Sequence, residues 1–146
     1  MKTKKVNRYE CDFCHKRGLS ASHMAKHESS CTMNPNRKCR VCAMGWGQHA
    51  PNERDQKPIA ELIALLPDPK DFAEDGALSA LLKRQTNKVL PQLRAACDNC
   101  PACIMAALRQ RGIPVPLATD FNFTEEMKAI WSDINDANTL ACAYDQ

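Results

Sequence analysis

Ile59, Leu62, Ile63 and Leu66 recur at the i, i+3, i+4, i+7 spacing of one buried helical face. Pro58 suits the first turn of that helix, and Pro67-Asp-Pro69 stops it. From Phe72, the apolar positions Leu78, Leu81, Leu82, Val89, Leu90 and Leu93 predict a longer helical stretch, interrupted or restarted at Pro91. Pro101 opens another helix, over 101–111, with Gly112 as its C-cap. Residues 113–119 (IPVPLAT) are expected to be extended. Asn122 and Glu125 have the spacing of a capping box, and Met127, Ile130, Trp131, Ile134 and Ala137 make the apolar stripe of a final helix. Trp131 is therefore expected in the core. Beyond the N-terminal segment no strong strand pattern stands out, so the body reads as mostly α-helical.

The first residues are organised differently. Residues 1–8 (MKTKKVNR) form a basic tail, and Cys11-x2-Cys14 is followed by twelve residues, His27, three residues and Cys31. That is the spacing of a hairpin and helix closing on one zinc ion. A segment this short cannot bury enough apolar surface to hold itself together, so a metal is implied. Residues 32–37 form a turn-rich connector, and the residue before Pro35 is pushed out of helical geometry, which ends the helix near Cys31.

A second pair, Cys39-x2-Cys42, precedes the Gly-flanked Trp46 and a polar, loop-like run over 47–57. The pair needs two further ligands, and Cys97-x2-Cys100-x2-Cys103 offers them. Cys100 and Cys103 are favoured because Pro101 places them at the start of a helix, where free N–H groups stabilise thiolates. Cys97 is the alternate ligand, and Cys142 reads as a small buried thiol. The expected fold is small α+β: an N-terminal ββα zinc finger, then a mostly α-helical body stapled by a second, four-cysteine zinc site. The division is 1–8 tail, 9–36 finger and 37–146 helical domain, with two Zn2+ ions in all.

Charge sharpens the contrast between head and body. Residues 1–42 carry ten Lys/Arg against Glu10, Asp12 and Glu28, a net of +7; the remainder carries ten basic and fourteen acidic residues, a net of −4. A basic head favours an anionic partner. Nine cysteines, an odd count grouped in C-x-x-C pairs, fit thiolates on metal better than a disulfide framework. With no leader-like N-terminus and no apolar run long enough for a bilayer, the expectation is a soluble cytoplasmic protein without a membrane partner.

Over residues 9–31 the segment resembles the single ββα zinc fingers in their Cys-Cys-His-Cys variant. Tyr9 stands at the family's aromatic position before the first cysteine, and Met24 at its apolar position before the histidine. The core Phe position falls on Gly18, and Leu19 is expected to take over its packing. The resemblance implies nucleic-acid contacts near the helix start, on Ser20, Ser22, His23 and Lys26. Lys4, Lys5, Arg8, Lys16 and Arg17, with Arg37, Lys38 and Arg40, would supply phosphate contacts.

The overall organisation is similar to small phage-encoded zinc-finger proteins, which would place the chain in a bacterial host cytoplasm. The expected function is non-enzymatic binding of nucleic acid, DNA first. The alternative is an adaptor or inhibitor that captures a host protein, with Trp46 and Trp131 as candidate contacts. His27-Glu-Ser-Ser-Cys31 echoes a zinc-peptidase helix, but its closed ligand set leaves no position for a catalytic water. A deaminase signature is absent. A zinc-stapled nuclease, with His23 and Asn34 as its loose echo, stands last.

Overall fold

The computed structural model describes residues 1–54, 56–72 and 76–144, side chains excepted at 76–79 and 141–144. An antiparallel hairpin pairs β1 (Tyr9–Glu10) with β2 (Arg17–Gly18), Tyr9 opposite Gly18 and Glu10 opposite Arg17. Helix α1 (Ala21–Ser30) packs on it and ends at Cys31, as the connector's proline requires. The body follows as α2 (Arg40–Met44), α3 (Ile59–Ala64), α4 (Gly76–Ala96), α5 (Pro101–Arg111) and α6 (Phe123–Tyr144). A small α+β fold results, a hairpin and then helices.

Helix α5 is the centre of the body. Pro101, Ala102, Cys103, Ile104, Ala106, Ala107 and Leu108 are all buried, so it is covered on nearly every side. Its alanines let neighbouring helices approach closely, and α3 packs on it through Ile59 and Leu62. Leu82, Thr86, Leu90 and Leu93 form the buried face of α4. Leu81 is exposed, and the Leu78 side chain lies outside the described residues.

Three expectations change. Helix α4 runs through Pro91 without a break. A proline there removes a hydrogen bond and costs about 3 kcal/mol. Leu90 and Leu93, fully buried on either side, each return roughly 1.5–3 kcal/mol, while Pro91 itself faces solvent. Residues 113–119 are not extended, because Val115–Leu117 make a 3-10 turn. Asn87 on α4 holds it, donating to the Leu117 carbonyl (2.8 Å) and accepting from the Thr119 N–H (2.9 Å). Trp131 is 46% exposed instead of core, because this part of α6 stands across open grooves from α2 and the Trp46 loop: past Ile130 only Ile134 stays half-buried among its described side chains.

The cap of α6 is built as expected on one side only. Asn122 Oδ1 accepts from the Glu125 N–H (3.2 Å), but Glu126, one residue later, reaches back to the Asn122 N–H (3.3 Å). Glu126 has a second task. Its two oxygens accept from Arg94 at 2.7 and 2.9 Å, tying α6 to α4. Arg94 holds the Glu126 carboxyl below the usual carboxylate range, and Glu126 in turn raises Arg94. The contribution of this clamp is complete above the ordinary carboxylate value and is lost as pH falls through the lowered one.

Two measurements check this packing. Ile104→Ala is expected to lower the unfolding free energy by roughly 2–5 kcal/mol in denaturant titrations. Glu126→Gln is expected to flatten the loss of thermal stability on acidification, relative to the parent chain.

Candidate metal centres

In the head, the hairpin turn closes with Cys11 N–H donating to the Lys16 carbonyl and His15 N–H to the Cys11 carbonyl, both at 2.9 Å. His15 takes a left-handed φ of 59° to make the turn. The Asp12 N–H donates to a Glu28 oxygen (3.0 Å), pinning the turn to α1. This geometry brings Cys11, Cys14, His27 and Cys31 together, their ligand atoms all within 4.8 Å of one another. Cys14 Sγ lies 3.2 Å from His27 Nε2. Burial works against ionising Cys14, but the Lys16 backbone N–H, the His27 ring and the two neighbouring thiols outweigh it and hold it at about 6. Cys31 is shifted the other way, first by burial.

The second centre is deeper. Cys39, Cys42, Cys100 and Cys103 are all buried within the main hydrophobic core, again with sulfurs within 4.8 Å. Cys39 caps α2, its sulfur accepting from the Cys42 N–H, while its own N–H donates to Gln56 Oε1 (2.9 Å). Cys100 and Cys103 flank Pro101 at the start of α5.

The Cys39–Cys100 and Cys42–Cys103 sulfur separations are 3.6 and 3.7 Å. A tetrahedral zinc with sulfurs at about 2.3 Å sets neighbouring sulfurs ~3.8 Å apart. Disulfides need bonds of about 2.05 Å, so these thiols are not paired covalently. Metal fits the donor set in both centres.

Charge makes the same point. Hydrogen bonds from Cys100 and then Cys103 pull the Cys39 and Cys42 thiols well down. Cys103 is driven up by its bonds to Cys100, Cys39 and Cys42. Cys100 gains from Cys103 but is pushed up overall by Cys39, Cys42 and burial. Four thiolates therefore do not coexist here on their own, and a divalent ion is a group that could take the place of the shared protons.

Cys97 is excluded from the tetrad. It sits just past α4, with its thiol directed at the Arg94 and Cys100 carbonyls (3.8 and 3.9 Å). Burial raises it to about 11. The Cys142 side chain lies outside the described residues. Among the described residues these two tetrads are the only such clusters, and no helix there is long and apolar enough to cross a membrane.

Compared with known proteins, the chain matches no family model, curated protein or solved structure. The likeness to ββα fingers rests on ligand spacing and element order.

Within the finger, Leu19 does not replace the missing aromatic: it is 68% exposed. The Met24 side chain fills that space, its methyl 3.2 Å from where a Gly18 Cβ would lie. Lys16, Arg17, Ser22, His23 and Lys26 are exposed, as are Lys4, Lys5 and Arg8 in the tail. Arg17 is engaged by Glu10 at 2.7 Å, and Ser20 is the N-cap of α1, accepting from the His23 N–H (3.4 Å). Asn34 is buried and closes the helix end, donating to the Glu28 carbonyl (2.7 Å) and accepting from the Asn36 N–H (2.8 Å). Its amide is thus engaged in structure.

Sequence reasoning missed two assemblies around the second centre. Arg54, buried in a polar run, stacks on Trp46 at 3.8 Å and reaches the Asp98 carbonyl and carboxylate. His49 meets the same carboxylate at 3.0 Å. Gly45 (φ 68°) begins this loop; a Cβ there would lie 2.5 Å from the Ala50 backbone, so only glycine fits. The other assembly joins finger to body. Gln110 at the end of α5 donates to the Thr32 and Asn34 carbonyls (2.8 and 2.9 Å), and Arg109 to Thr32 Oγ1 (3.0 Å).

Elemental analysis of the purified chain is expected to return two zinc ions. Cys103→Ser is expected to lose one of them, and Cys97→Ser to keep both.

Proposed function

We propose that this chain is a non-enzymatic zinc-finger protein that binds nucleic acid, DNA first, through its basic head. The observation that carries the reading is the exposure of Lys16, His23, Lys26, Lys38 and Arg40, with the tail lysines, around a finger on an acidic body. Phosphate contacts from such residues release counterions, so affinity depends steeply on salt. A single finger reads about 3 bp, and the tail and connector extend its grip along the backbone.

A second reading has its own observation. A groove of about 510 Å³ runs between the Trp46 loop and α6, lined by Met44, Trp46, Ile134 and Leu140 with Asp133 and Asp136 on its rim. It supports an adaptor that captures a host protein, in the manner of a phage inhibitor. A host complex that survives nuclease treatment and is lost on Leu140→Asp would favour that reading.

Titration of zinc-loaded protein against labelled DNA over a range of salt tests the first reading. Affinity is expected to fall log-linearly with salt. Lys26→Ala is expected to lower the slope by about 1, and removal of residues 1–8 to lower it further. Binding indifferent to salt and to both changes would contradict it.

A further inference from the structure

The finger carries an open groove on its surface, beside the space that Met24 fills next to Gly18. Gly18 contributes no side chain, so its backbone and the buried Met24 make the floor, with the metal-centre residue His27 at its back. Leu19 stands exposed at the edge, Lys16 and Arg17 line the hairpin side, and His23 lines the helix side. The groove is open to solvent along one side and has a volume of about 370 Å³, within the size range of small-ligand sites.

The outward face of α1 is poorly equipped to read a duplex. Ala21, Ser22 and Ala25 are exposed but short, and Ser20 is occupied as the cap. Only His23 and Lys26 have reach, and the bidentate readers of base pairs, Arg, Asn and Gln, are missing from the helix. The groove beside it has the opposite character: an apolar floor and a cationic rim. Arg17 shares its charge with Glu10, whereas Lys16 makes no ion pair among the described residues. A flat apolar ring attached to a phosphate is the chemistry this combination accepts.

We infer that the groove formed by Gly18, Leu19, His23 and Met24, with Lys16 at its rim, is a pocket for an unpaired nucleobase, so that the finger binds single-stranded nucleic acid in preference to duplex. The inference rests on the nucleic-acid reading above and narrows it. A base inside a duplex shows only its edges; one in a single strand, loop or end can turn its face into an apolar slot. The ring would lie on the Met24 floor between Leu19 and His23 at the edges, while Lys16 and the tail lysines follow the backbone.

The test uses the zinc-loaded full chain and three fluorescent probes of equal length: a thymidine single strand, a blunt DNA duplex, and an abasic sugar-phosphate strand. Anisotropy is expected to show the single strand bound on the order of tenfold tighter than the other two, as one stacked base implies. Leu19→Ser and His23→Ala are each expected to erase most of that preference with the zinc count unchanged, since both side chains are exposed. Lys16→Ala is expected to weaken all three probes alike. Duplex or abasic strand bound as tightly as the single strand would overturn the pocket and leave the nucleic-acid reading standing. A single-strand preference untouched by Leu19→Ser and His23→Ala would also overturn it. Binding to none of the probes would overturn both.

Discussion

Four cysteine sulfurs packed within 4.8 Å of one another in a hydrophobic core form a site that could hold a cation and share its charge. That site organises the body. Cys39 and Cys100 are 61 residues apart, as are Cys42 and Cys103, so the cluster closes a long loop containing α3 and α4. Of the helices in this loop, α3 is short and α4 carries an internal proline. Structural zinc contributes roughly 10–16 kcal/mol of apparent binding free energy in finger peptides. An energy on that scale matches the typical net stability of a domain, so a metal bound here would be a major part of what holds the body folded.

Helix α5 carries the consequence to the finger. Its first turn supplies Cys103 to the second centre; its last turn, through Arg109 and Gln110, grips the Thr32–Asn34 segment that leaves the first. Between them Arg37 directs its guanidinium at Cys103 Sγ (3.9 Å), where it offsets part of the excess negative charge of a tetrathiolate. Lys38 N–H also donates back to the Ser29 carbonyl of α1 (2.8 Å). The first tetrad's segment is therefore tied to α5 by side-chain hydrogen bonds.

Much of this is legible in the residues. Ligand spacing identifies both tetrads, and the choice of Cys100 and Cys103 over Cys97 follows from Pro101 opening a helix between them. Helix ends at Cys31 and Gly112 are marked by backbone chemistry that acts locally. What escapes is decided by distant partners. Pro91 reads as a break in the pattern alone, but Leu90 and Leu93 are both buried beside it. Glu126 displaces Glu125 at the α6 cap because Arg94, 32 residues away, holds it. Leu19 reads as core because its neighbour Gly18 leaves a vacancy, yet Met24 is flexible enough to fill it from the helix. Trp131 sits on a regular stripe, but a stripe does not reveal where the facing elements leave open grooves. Arg54 gives no local sign that it is buried over Trp46.

Zinc K-edge X-ray absorption of the fully loaded chain tests the central claim directly. Seven sulfurs and one nitrogen are shared between the two centres, so the averaged first shell should be dominated by sulfur at about 2.3 Å, with a small nitrogen component and no oxygen. A shell rich in oxygen or nitrogen, or one that fits a Cys-Cys-His-Cys site alone, would contradict the account of the buried tetrathiolate on which the body depends.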